Sequence, residues 1–169
     1  MVKPLDYAVL DVGKPRGTIT SWPGARDVVE NIIEGRRTKL KLSDLHYRQQ
    51  ETLCSEFLRS EDAASRGLPR LANLLLPVGG TMPDIDVKGI ADDGKMLLAQ
   101  VTFGSLSHPK TNRKIQKLRS YRDPKRHLLF FCGCKSLKNQ DGVTLFPIEW
   151  AFTSFTSTKL GKRWLEHSA

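Results

Sequence analysis

The chain has 169 residues, 39% of them hydrophobic and 27% charged, with a net charge of +9. That length and balance describe one globular domain with a genuine core, or a domain plus a small appendage, and exclude a low-complexity or fibrous chain. No apolar run approaches a membrane span, and Met1–Asp6 leads into no apolar segment of the signal-peptide kind, so a cytoplasmic protein with no membrane partner is expected. The basic balance favours a polyanionic partner, because Lys and Arg that contact phosphates release counterions. Cys54, Cys132 and Cys134 cannot form a disulfide framework, and Cys132-Gly133-Cys134 lacks the spacing and the second ligand pair of a zinc site. All three are read as reduced and structural.

In chain order, residues 5–12 read as a strand ended by Gly13. Lys14-Pro15-Arg16-Gly17 reads as a turn. Ser21 caps a helix with Pro23 in its first turn; Val28, Val29, Ile32 and Ile33 form its apolar stripe and Gly35 ends it. The basic connector Arg36, Arg37, Lys39, Lys41 closes a strand–helix appendage over residues 1–42. The main domain is expected over 43–169. Ser43 or Asp44 caps a helix to about Ser60, buried through Leu45, Leu53, Cys54, Phe57 and Leu58, with Glu51 at the edge of that side and Glu56 solvated. Leu71, Leu74, Leu75 and Leu76 predict a buried strand between Pro69 and Pro77.

The hairpin over residues 84–102 organises the rest. Ile85, Val87 and Ile90 lie in its first arm, and Met96, Leu97, Leu98, Ala99 and Val101 in its second. Asp92-Asp93-Gly94 makes the turn, since Asp-Gly accepts the positive φ of tight hairpins. Alternation sets Asp84 and Asp86 on one face of their strand and Gln100 and Thr102 on one face of theirs. Four oxygen-bearing side chains are thereby expected to cluster where a divalent cation can be held. Gly79-Gly80 leaves room for a close backbone approach, and Gln100 sits in so apolar a strand that it needs a partner.

Gly104–Pro109 reads as a loop and Lys110–Tyr121 as a helix with Ile115 and Leu118 inward. Lys110, Arg113, Lys114, Lys117, Arg119 and Arg122 carry one sign of charge with no acid before Asp123. Such a run repels itself unless a phosphate backbone lies near. Asp123-Pro124 ends the helix. His127–Cys132 predicts a strand buried on both faces, Val143–Phe146 another strand, and Pro147 or Ile148 a last helical stretch with Trp150, Phe152, Phe155, Leu160 and Trp164. The order predicts an α/β fold, a central mixed sheet with helices on both faces.

With these pieces in place the chain resembles the restriction-endonuclease-like, or PD-(D/E)xK, nuclease superfamily, and most of all its Mrr-like branch. The resemblance runs over about residues 44–135. It rests on Gln50-Glu51 in the helix, Gly79-Gly80, Asp84-Ile85-Asp86-Val87, Asp93-Gly94, and Gln100-Val101-Thr102. It implies a DNA endonuclease dependent on Mg²⁺ or Mn²⁺, needing no small-molecule cofactor. Asp86, Glu51 and the Val101 carbonyl would be metal ligands, and Gln100 would position water. A Gln at this place is usual in the branch. The family's lysine is Thr102 here, so Lys114, Lys117 or Lys88 must bring the charge, or the site is degenerate. Lys110, Arg113, Lys114, Lys117, Arg119 and Arg122, with Arg36 and Arg37, are the candidate DNA contacts. Cutting both strands would suit a two-fold dimer. Two alternatives stand beside this: a nuclease-fold module that binds DNA or a partner without cleavage, and a protein-interaction domain using Phe152, Phe155 and Trp164 as an apolar docking surface.

Overall fold

The computed structural model describes Glu30, residues 33–35, residues 41–75 and residues 84–168. The strand expected over 5–12, the turn after it, the start of the first helix, Arg36, Arg37, Lys39, Leu76 and Gly79-Gly80 lie outside the described residues. Of the first helix's expected end, Gly35 is described and has φ +68°.

A 3-10 turn, Leu42–Asp44, precedes the first long helix, α1 (Tyr47–Arg59). The helix does not run from Ser43 or Asp44 as the sequence suggests. The Asp44 carboxylate instead accepts from the Lys41 amide at 2.8 Å, and His46 occupies the N-cap of α1 with Gln49 Oε1 accepting the His46 amide at 2.7 Å. A short helix, α2 (Glu61–Ser65), follows directly, capped by Ser60. The strands are β1 (Leu71–Leu74), β2 (Val87–Ala91), β3 (Met96–Val101), β4 (Arg126–Cys132), β5 (Lys138–Gln140) and β6 (Val143–Pro147). Helix α3 (Pro109–Arg119) connects β3 to β4, and α4 (Ile148–Ser157) and α5 (Lys159–Ser168) close the chain.

The strands form one six-stranded mixed sheet in the order β1-β2-β3-β4-β6-β5. β1, β2 and β3 are an antiparallel meander; β3, β4 and β6 are parallel neighbours; β5 pairs antiparallel with β6. A parallel β3–β4 pair requires a crossover, and α3 supplies it. Helices cover both faces, as predicted. On one, Leu53, Cys54, Phe57 and Leu58 of α1 and Ala151 and Phe155 of α4 pack with Val87, Leu97, Ala99, Val101, Leu129 and Phe131. On the other, Ile115 and Leu118 of α3 pack with Leu98, Leu128, Phe130 and Leu145.

Two expectations need correction. β1 is an edge strand and only Leu71 is buried; Leu74 is 38% and Leu75 36% exposed, because the strand lies at the margin of the sheet. Phe155 is buried, and Phe152 and Trp164 pack against the same core, Trp164 edge-on to Phe155 at 5.8 Å. They form no exposed docking surface. No described helix is long and apolar enough to cross a membrane.

β2 meets β1 at Gly89, the partner of Leu74. A Cβ there would collide with Leu71 Cδ1 and with the Asn73 carbonyl oxygen. The second contact is backbone and cannot turn away. Gly89→Ala is therefore expected to destabilise the protein by about 1–3 kcal/mol in chemical denaturation; a neutral result would mean that β1 does not pair here.

Candidate functional site

The hairpin presents its acid through a backbone tie. Asp86 stands just before β2, and its Oδ2 accepts the Val101 amide of β3 at 2.7 Å, while its own amide donates to the Ala99 carbonyl at 2.9 Å. The turn is as the sequence predicts, with Gly94 at φ +78°. Asp93 at its tip contacts Nε2 of His127 on β4 at 2.8 Å, pinning the hairpin to the next strand.

Glu51 comes from the helix on the opposite face of this end of the sheet. One cavity of about 340 Å³ is lined by Tyr47, Gln50 and Glu51 of α1, Asp86, Val101, Thr102 and Phe103 around the hairpin arms, and Lys114 of α3. Thus the helix acid, the hairpin acid and a helix lysine, 63 and 28 residues from one another at the extremes of sequence separation (114 − 51 and 114 − 86), share one opening.

Electrostatics shows the same convergence. Burial raises the Glu51 carboxyl above its ordinary range and the Asp86 charge raises it further, while Arg48 and Lys114 oppose. Burial likewise raises Asp86, against the Val101 amide and Lys114, with Asp84 adding to the rise. Cys54, three residues along α1 from Glu51, is fully buried; burial pushes its thiol well up, and both Asp86 and Glu51 add to that. Cys54 is thus a protonated core thiol. Near the end of β4, Cys132 and Cys134 are free thiols; the hydrogen bond from Cys132 pulls Cys134 down to about 7.

The other residues singled out by sequence are placed differently. Asp84 turns away to Lys117 Nζ at 2.8 Å, so neither is left for the cavity. Gln100 is 2% exposed and does not line the cavity; its Oε1 has no hydrogen-bond partner among the described residues. Thr102 does line it, with its hydroxyl accepting the Gly104 amide at 3.2 Å. Lys88 is half-buried and apart from the cavity. On α3, Arg119 pairs with Asp141 at 2.9 Å. Lys110, Arg113 and Arg122 are exposed. Sequence reading missed Tyr47, Gln50 and Phe103 as site residues. Tyr47 was findable, since it precedes Glu51 by four on the same helix face. Gln50 donates to the Leu45 carbonyl at 3.0 Å, which holds the entrance of α1 in place.

Among the described residues no three His, Cys, Asp or Glu side chains gather to hold a metal ion. The anionic side-chain donors at the cavity are two carboxylates, Glu51 and Asp86. Two such acids drawn together and both raised in pKa make an all-oxygen set of the kind Mg²⁺ accepts, since that ion takes one or two carboxylates and retains waters. Comparison of the chain with protein-family models, with curated proteins and with solved structures gives no match.

Proposed function

We propose that the chain is a metal-dependent deoxyribonuclease, hydrolysing phosphodiester bonds at the Glu51–Asp86–Lys114 cavity. The observation that carries this reading is the meeting of those three side chains from three separate elements. The succession helix, antiparallel hairpin, crossover helix and parallel strand supports a restriction-endonuclease-like core, as the Mrr-like motif implies.

Glu51, Asp86 and the Val101 carbonyl are the donors for the ion. Bound there, Mg²⁺ or Mn²⁺ would polarise a phosphoryl oxygen and lower the pKa of a coordinated water. The Asp86 carboxylate is oriented by the Val101 amide, which leaves Oδ1 for the ion. Lys114 supplies the positive charge that Thr102 cannot, beside both acids. Lys110 and Arg113 continue the cationic surface of α3 and would hold the phosphate backbone without reading bases. Lys117 and Arg119, already paired with acids, contribute less than their count suggests.

The test is cleavage of supercoiled plasmid and of a single-stranded DNA circle with Mg²⁺ or Mn²⁺, abolished by a chelator. Lys114→Gln is expected to lower the rate about 10²- to 10³-fold with DNA binding nearly kept. The second reading, a module that binds without cutting, is favoured by Thr102. It gains the field if no divalent cation supports cleavage while DNA binding persists.

A further inference from the structure

Exposed aromatic side chains need a reason where most of the described rings are wholly or partly buried. Three described aromatic residues are exposed: Tyr47 at 56%, Phe103 at 49% and Trp150 at 40%. Trp150 does not line the cavity; its ring meets Phe146 edge-on at 6.0 Å and lies under the Arg66 guanidinium at 5.7 Å. The other two both line the cavity that holds Glu51, Asp86 and Lys114. They come from different elements, the first turn of α1 and the loop after β3, so no local periodicity puts them together. Tyr47 is backed by its neighbours: the His46 ring centroid is 4.1 Å away and the Arg48 guanidinium 5.7 Å.

A cavity meeting only the outside of an intact duplex encounters phosphates and sugars, for which cations and amide donors suffice. Aromatic rings, and guanidinium planes beside them, are what unpaired bases stack on. Resting on the hydrolase reading above, we propose that the cavity receives an unpaired nucleotide, its base stacked on Tyr47 and Phe103 and its phosphate at Glu51, Asp86 and Lys114. The preferred substrate is then single-stranded DNA or a single-stranded flap. An intact duplex is a poor substrate because its bases must first be unstacked.

The experiment compares a fluorescein-labelled single strand, the same sequence as a blunt duplex, and a strand of abasic sites with its backbone intact. Binding is read by anisotropy with Ca²⁺, cleavage with Mg²⁺ or Mn²⁺. The single strand is expected to be bound and cut at least about ten-fold better than the duplex, and the abasic strand to lose between about five- and 150-fold in affinity. Phe103→Leu and Tyr47→Leu keep the apolar bulk without the ring face and should erode the single-strand preference by a similar factor, while Tyr47→Phe retains it. Both positions are outside the core, and the abasic strand reads the same contact in the unaltered protein. A duplex cut as fast as the single strand, or an abasic strand bound as tightly, overturns this inference and leaves the hydrolase standing. No binding and no cleavage of any of the three overturns both.

Discussion

Asp86→Asn is expected to abolish the proposed cleavage, by about 10³-fold or more, and to leave a protein that without metal melts no lower than the wild type. The two halves of this expectation have one cause. Asp86 is held above its ordinary pKa chiefly by burial and lies in the cavity with Glu51, whose carboxyl its charge raises. Its charge is therefore a cost to the fold and an asset only to a bound cation. An amide keeps the shape and keeps an oxygen for the Val101 amide, now 2.7 Å from Oδ2, but offers far less to Mg²⁺. Asp86→Ala differs, because it strands that backbone donor at a cost of about 1–3 kcal/mol.

The pH dependence follows. Both carboxyls are raised in the folded state, so between their ordinary and raised values the folded chain binds more protons than the unfolded one. Stability of the metal-free protein then falls as pH rises through that window and levels off above it. In Asp86→Asn the fall should be shallower. Saturating Mg²⁺ stabilises the wild type, by about 2.7 kcal/mol at a hundred-fold excess over Kd, and leaves the variant unmoved. Melting curves over pH, with and without Mg²⁺, check all three. A variant that still cuts, or wild type indifferent to Mg²⁺, would remove the cavity from consideration as a metal centre.

Phe131→Ala costs about 3–5 kcal/mol, a fall in melting temperature on the order of 10 °C. Phe57 of α1, Phe131 of β4 and Phe146 of β6 are all 0% exposed, with ring centroids 6.4, 5.4 and 5.6 Å apart in pairs. Phe131 is the partner of Val101 on one side and of Phe146 on the other. The cluster seats α1, and hence Glu51, on the carboxyl end of the strands. Truncation leaves a hole that neighbours on three elements cannot close together. Cleavage at low temperature should fall as well, since Glu51 loses its support. A loss below about 1 kcal/mol would mean that α1 does not rest on this cluster.

How much of this was readable beforehand depends on distance along the chain. The hairpin, its Asp-Gly turn, the α3 face with Ile115 and Leu118, and the apolar β4 are local patterns, and they stand as expected. Asp86 and Glu51 line one cavity, the meeting that the family resemblance implied. What escaped was decided by partners far off in sequence. Lys117 looks free on its helix, yet Asp84 takes it across 33 residues. Gln100 reads as a site residue by alternation, but that alternation aims it at the α3-covered face, where it is buried. β5, Lys138–Gln140, has no apolar residue to betray it, being an edge strand exposed along its whole length. The last helical stretch breaks at Thr158, which the apolar residues on either side, Phe155 and Leu160, conceal.

The tie between the Asp86 carboxylate and the Val101 amide joins the two arms at the end remote from the turn. Alignment of the arms is set at Asp92-Asp93-Gly94, and pairing proceeds from there, Ile90 with Met96 through Val87 with Ala99. One extra residue in that loop would shift the pairing by a step and invert the acid to the wrong side of the ribbon. The placement of Asp86 in the pocket is thus governed from the far tip of the hairpin, and a small insertion there would displace an acid it never touches.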